Sequence, residues 1–373
     1  MYRIRLNMRF YEHGSKWKFT VALSGFILWA LSGCSTVGPA TISGGRAAYN
    51  EALKRTNEQQ MLMAVVNRRY GEGTSLLAVS NVTANVRFSA NAGFQVGYGS
   101  SSSYEGNLVP FGGGFAYEEN PTITYTPVQG VKYLRQILKP MPLDILLLYL
   151  DSSYQSGIPL LMLAKRVNGI SNPDFLPSAR AEPDPRFLRL VELLSDLHMS
   201  NVLYLAKNRG EQGEYDVVIS HYAPDCSQEV SEFLTILGQP MPSDQSEEIV
   251  LPLYSSWEGL EKKGITITTR SVFDLIQILT ASVEIPSDPA SEERAVKFPA
   301  RGTAGRDIRI RVSTEKPDNA SAMVKYRKHW YFIDDNDQTT KLAFRLFIEL
   351  WGMIIAGSAE RQPAPVLTVP VSQ

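Results

Sequence analysis

Along "SNVTANVRFSANAGFQVGYG", residues 80–99, every even position from Val82 to Tyr98 is apolar or small. The odd positions carry Thr83, Asn85, Arg87, Ser89, Asn91, Gly93, Gln95 and Gly97. A two-residue period is that of a strand, whose successive side chains point to opposite faces. At about 3.3 Å per residue the run from 82 to 98 would extend ~55 Å, well beyond the usual strand. A serine- and glycine-rich tip follows, "GSSSSYEGNLVPFGGG". Then "FAYEENPTITYTP" places Phe115, Tyr117, Ile123 and Tyr125 at odd positions. The two runs predict one long hairpin over residues 76–126. Upstream, Tyr49, Leu53, Thr56, Met63, Val66 and Tyr70 recur at three- and four-residue steps before Gly71. That spacing predicts an amphipathic helix over 46–70 with Gly71 as its stop.

From 127 the pattern changes. "VKYLRQILKPMPLDILLLYLDSSYQSGIPLLMLAKRVNGI" reads as short helices broken by Pro140, Pro142 and Pro159. "DPRFLRLVELLSDLHMSN" predicts a helix with Asp184 as N-cap and Pro185 at its first position. "VLYLAKN" and "YDVVISHY" predict a hairpin, and "SQEVSEFLTILG" a helix begun by Ser227 and stopped by Gly238. "SDQSEE" (243–248) marks a linker. In the last third, "GITITT" reads as a strand and "SVFDLIQILTASVEI" as a helix opened by Ser271 with Asp274 three residues on. "RDIRIRVS" and "AMVKYRKHWYFID" read as two strands, and "TKLAFRLFIELWGMIIAG" as a closing helix. The expected class is α+β: an N-terminal amphipathic helix and long β-hairpin, followed by small α/β-sandwich-like domains, the last in βαββα order. The expected boundaries are a leader (1–33), a tether (34–45), helix plus hairpin (46–126), a helical and α+β domain (127–242), a linker (243–261), the βαββα domain (262–357) and a disordered, Pro-rich tail (358–373).

The leader has a basic start (Arg3, Arg5, Arg9, Lys16, Lys18), an apolar run "FTVALSGFILWA", and the close Leu31-Ser32-Gly33-Cys34. This is the build of a secretory signal rather than of a membrane-spanning helix. "LSGC" matches the bacterial lipobox, so the leader resembles those of lipoproteins. The resemblance implies recognition through Leu31, Ser32 and Gly33, cleavage before Cys34, and acylation of its thiol and new N-terminus. Several acyl chains hold a protein at a bilayer almost permanently. Ser35, where an aspartate would signal retention, is similar to the outer-membrane sorting pattern. Removing residues 1–33, with their five basic residues and one acid, leaves 32 basic and 37 acidic residues, net −5. Such a balance is no footprint for nucleic acid. With Cys34 lipidated, Cys226 is left as a single thiol, either buried or reactive.

The whole chain is similar to a family of proteobacterial outer-membrane lipoproteins of unassigned function, through "NEQQMLMAVVNRRYGE", "NPTITYTP" and "YRKHWYFIDDND". The order of elements in 262–357 resembles the small periplasmic domains of secretins and other ring-forming envelope proteins. Two readings of the long strand stay open. In one, the hairpin is soluble and the 46–70 helix covers one face. In the other it resembles the curli-export lipoprotein channel, where acyl-anchored subunits contribute hairpins to a shared barrel. There Val82, Val86, Phe88, Phe94, Val96 and Tyr98 would face lipid. Glu119 and Pro121 oppose that second reading, because an acid on a lipid face and a proline in a ladder both cost stability.

Catalytic motifs are missing from the sequence: there is no G-x-S-x-G, Walker loop, H-E-x-x-H or C-x-x-C. The mature chain has His198, His221 and His329, and "HYAPDC" sets His221 five residues before Cys226. That is too few ligands for a closed zinc site. "IDDNDQTTK" fails as an EF-hand, with Thr340 at the glycine position and Leu346 at the bidentate glutamate position. Asp337 or Thr339 as a helix N-cap accounts for it better. The closing helix is apolar nearly all round apart from the stripe Lys341, Arg345 and Glu349, which marks it as core or as a partner contact. No cofactor is expected. The expectation is an outer-membrane lipoprotein facing the periplasm and acting without catalysis as a structural or assembly component. Its partners would be the membrane, through the N-terminal lipid, and other envelope proteins or further copies of itself. A channel subunit and a lipid-anchored ligand binder or enzyme are the alternatives.

Overall fold

The computed structural model describes residues 37–73, 76–83, 86–94, 111–119, 122–128, 130–152, 157–178, 182–207, 215–220, 226–241, 248–255, 264–359 and 367–370. The chain divides into two compact units, Met1–Glu58 and Gln59–Gln373.

The first unit contributes the opening turns of helix α1 (Val37–Arg69). The helix begins earlier than expected, and Pro39 is tolerated in its first turn because the missing N–H leaves no bond unmade there. Arg55 and Glu51 pair at 3.7 Å one turn apart, and the Thr56 hydroxyl donates back to the Ala52 carbonyl at 2.9 Å.

In the second unit, α1 buries Met61, Leu62, Val65, Val66 and Tyr70. The inner face keeps Val66 and Tyr70 of the expected stripe and adds Met61, Leu62 and Val65, with Met63 half-buried. Gly71 ends the helix at φ +71, as its sequence position predicts. The long alternating run is divided into β1 (Leu76–Thr83) and β2 (Val86–Phe94) instead of forming one strand, and residues 84–85 lie outside the described ones. The return is likewise divided, into β3 (Phe111–Glu119) and β4 (Thr122–Val128).

Next come α2 (Val131–Leu138), α3 (Leu143–Ser152) and α4 (Gly157–Leu163), with α2 and α3 separated at Pro140 and Pro142 as expected. Pro159 breaks nothing, since it sits in the first turn of α4. The chain then enters β5 (Ala164–Val167) and β6 (Ile170–Ser171). Their two-residue turn is Asn168-Gly169, at φ 43 and φ 80. Positive φ at both positions is the type I′ requirement, which Asn-Gly meets. Helix α5 (Pro185–Met199) starts at Asp184, whose carboxylate accepts from the Arg186 N–H at 3.0 Å. The hairpin β7 (Leu203–Lys207) and β8 (Tyr215–Ile219) and helix α6 (Ser227–Ile236) follow. Gly238 at φ +68 stands just beyond α6.

Strand β9 (Ile249–Ser255) occupies residues expected to be linker. Its near-continuous apolar run "IVLPLY" suits a strand with covered faces. With β10 (Ile265–Thr269) it completes a six-stranded sheet in the order β6-β5-β10-β9-β8-β7. Every pairing is antiparallel except β9–β10. Helices α3, α4, α5 and α6 cover one face through Leu147, Leu160, Leu190 and Phe233. This sheet joins strands from both sides of the expected linker, so 127–242 and 262–357 share one architecture.

Helix α7 (Val272–Ala281) opens with the expected capping box of Ser271 and Asp274. After the short helix α8 (Pro289–Arg294) comes a second sheet, β11 (Arg311–Ser313), β12 (Ala320–Tyr326) and β13 (His329–Asp334), ordered β11-β13-β12. "AMVKYRKHWYFID" is therefore two strands, turned at Arg327 with φ 54, where a single strand was expected. The closing helix α9 (Gln338–Ala359) buries Ala343, Phe344, Leu346, Phe347, Leu350 and Trp351, so most of its apolar surface is core. Strand β14 (Leu367–Pro370), in the tail expected to be disordered, pairs with β4. The class is α+β, as the sequence predicts.

Candidate functional site

The hairpin is the element that the sequence singles out. Thr83 lies opposite Thr122 in the β1–β4 pair, and Val86 opposite Glu119 in the β2–β3 pair, so one register runs across both segments to Phe94 opposite Phe111. A single irregularity, between Val79 and Asn81, interrupts β1. At the base, the outer edge of β4 is paired and that of β1 is met at one residue. The Gln60 amide donates to the Leu77 carbonyl at 3.0 Å and accepts from the Leu77 N–H at 3.3 Å, imitating a neighbouring strand. On the other side β14 pairs with β4. Farther out, among the described strands, β2 and β3 pair only with each other. Two rows of backbone donors and acceptors are thereby left without strand partners. Such open edges are templates for pairing with another chain. An isolated two-stranded ribbon is also only marginally stable by itself.

Of the residues expected to line a membrane-facing strand, Val82 lies in β1 and Val86, Phe88 and Phe94 lie in β2. Val96 and Tyr98 are outside the described residues, as are Leu31, Ser32, Gly33 and Cys34. Among the described residues, no helix is long and apolar enough to cross a membrane.

Candidate chemistry elsewhere resolves into local structure. Cys226 is a free, half-buried thiol at the start of α6, and His221 is outside the described residues. The His198 ring lies 3.3 Å from the Leu203 carbonyl through Nδ1, linking the end of α5 to β7. Asp337 caps α9: its carboxylate accepts from the Thr340 N–H at 3.0 Å and the Thr340 hydroxyl at 2.7 Å. Lys341 pairs with Asp335 at 2.7 Å, and Arg345 with Glu349 at 2.9 Å. Among the described residues no group of three or more His, Cys, Asp or Glu could hold a metal ion.

Two polar clusters went unrecognised in the sequence. Arg270, fully buried, pairs with Asp174. It also donates to the carbonyls of Leu161 (3.1 Å), Ala164 (2.6 Å) and Asn172. The Asn172 amide adds bonds to Leu161 (2.8 Å) and Ala164 (2.7 Å). Together they satisfy carbonyls left over at the end of α4. Burial pulls the guanidinium pKa down, and Asp174 opposes that pull. In the second cluster, the Tyr70 and Tyr331 hydroxyls meet at 2.6 Å. Glu72 accepts from the Tyr326 hydroxyl at 2.7 Å and from Arg327 at 2.8 Å. The Arg327 guanidinium lies 5.5 Å from the Tyr70 ring centre and 5.1 Å from that of Tyr326. Burial and the Glu72 bond push Tyr326 up to about 12. This cluster ties the end of α1 to the β12–β13 hairpin.

Between the six-stranded sheet and its helices lies a cavity of about 30 Å³, lined by Leu147, Leu190, Phe233, Leu253, Ile267 and other apolar residues. That is room for about one water molecule. A substrate site needs convergent polar groups, and none lines this cavity. No protein-family model, curated protein or solved structure matches the chain.

Proposed function

We propose that this chain is an acyl-anchored outer-membrane lipoprotein facing the periplasm, which acts without catalysis as a structural or assembly component of an envelope complex. The lipobox Leu31-Ser32-Gly33-Cys34 supports the location. The observation that carries the role is the β2–β3 ribbon, whose outer edges have no strand partner among the described residues, while at its base β14 pairs with β4 and Gln60 bonds Leu77 of β1. Open edges gain their missing ladder bonds when ribbons of several copies, or a partner's strand, pair beside them. A second reading draws on the same ribbon: in a membrane, such hairpins from several subunits would have to close into a barrel, because hydrocarbon tolerates no open edge.

The test is the mass of the protein extracted from membranes in mild detergent, with and without residues 86–119 replaced by a short Gly-Ser turn. The account expects assemblies larger than one chain, which fall apart when the ribbon is removed. Monomers for the unaltered chain at every concentration would overturn it. In parallel, Cys34→Ser should release the protein into the soluble periplasmic fraction.

A further inference from the structure

Helix α2, "VKYLRQIL", carries a surface that the other described residues leave exposed. Its inner side is fixed: Ile137 is buried, and the half-buried Tyr133 ring meets Trp351 edge-on with centres 5.5 Å apart. At about 100° per residue, Val131, Leu134 and Leu138 fall on one stripe, about a third of a turn from that inner side. They are 66%, 53% and 55% exposed. Lys132 and Arg135, with Lys139 just past the helix end, fall in the arc beside that stripe. Between Glu119 and Asp144 the chain carries no carboxylate at all. Scattered exposed apolar residues are ordinary, but a contiguous stripe rimmed by one sign of charge marks a contact surface.

We infer that α2 lies in the headgroup layer of an anionic phospholipid leaflet. Val131, Leu134 and Leu138 enter the acyl boundary, and the exposed Arg135 and Lys139 meet the phosphates. Charge selects this occupant: two exposed cations and no acid along the segment complement an anionic bilayer surface. The inference rests on the proposed membrane location only for how the chain reaches a leaflet. The contact itself is a property of the helix.

A fluorescent probe sensitive to its surroundings is attached at Leu134→Cys in the full chain carrying Cys34→Ser and Cys226→Ser, so that no acyl group or second thiol contributes. A control carries the probe at Met199→Cys, an exposed position on α5. Vesicles contain phosphatidylglycerol and phosphatidylcholine with brominated acyl chains, or phosphatidylcholine alone. The expected result is quenching of at least about twofold at 134, little at 199, and little at either position without phosphatidylglycerol. Replacing Arg135 and Lys139 by serine should weaken vesicle binding about tenfold, with circular dichroism unchanged. Absence of quenching at 134, whether or not the chain floats with vesicles, overturns the inference. So does a solution dimer that Leu138→Glu dissociates, which would assign the stripe to a second copy. The anchor is read separately, by the mass of the N-terminal peptide, so either idea can fail alone.

Discussion

Arg270 shows what a single residue does for the fold. Its charge is worth burying only because Asp174 and the carbonyls of Leu161, Ala164 and Asn172 surround it. Removing one partner of a buried pair leaves the other charge uncompensated, typically at 3–5 kcal/mol. Arg270→Met should therefore lower unfolding stability by about 3–5 kcal/mol, read as a shifted urea midpoint. A loss under about 1 kcal/mol would mean that the pair contributes little. Glu72 gives a prediction in pH. The Tyr326 hydroxyl, followed by Arg327, holds its carboxyl below the usual glutamate range. A depressed carboxylate contributes stability above its unfolded pKa and loses it as pH falls through the folded value. The stability advantage of the natural chain over Glu72→Gln should therefore be present at about pH 6 and fade by about pH 3. A pH-independent difference would contradict the latch. The helix-starting residues Asp184, Ser271 and Asp337 were legible in the sequence, because each acts on atoms two or three positions away. Arg270 was not, since Asp174 and Asn172 lie nearly a hundred residues upstream.

Elements followed the same division. Helices announced themselves by periodicity and caps, and the stripe Lys341, Arg345 and Glu349 marked the outer side of α9. Short strands were harder. The signal for β5 and β6 was present in "VNGI", yet the surrounding leucines read as helix. The signal for β9 was masked by the acidic stretch before it. Partners in a sheet are chosen across the chain, so β10, placed by its sequence neighbours with β11–β13, joins β5 and β9 instead. The β5–β6 turn is also bolted to its neighbours. The Asn168 amide donates to the carbonyls of Leu237 (2.8 Å) and Gly264 (3.2 Å), and its oxygen accepts from the Thr266 N–H at 2.7 Å. Asn168→Ala leaves those groups unmatched, so thermal or urea unfolding should show a loss of about 1–3 kcal/mol. Asn168→Asp should recover part of that loss through the retained oxygen. An unchanged midpoint for both would mean that water replaces the amide.

At the scale of the whole molecule, one six-stranded sheet draws strands from 164 to 269. That is why a linker and two separate domains, reasonable from composition alone, are replaced by continuous architecture. The long hairpin was legible as a pairing but not as two segments, since alternation alone carries no mark of where one ladder ends. The function proposed for this molecule depends on fixing that architecture to a leaflet. In that proposal the ribbon edges would meet other copies or partners, and α2 would meet phosphates. The most direct measurement is the mass of the N-terminal peptide from the natively produced protein. The account predicts a chain beginning at Cys34, with a diacylglyceryl thioether and an acylated amino group. A peptide that still runs through Leu31-Ser32-Gly33, or a Cys34 with an unmodified sulfur, would contradict it.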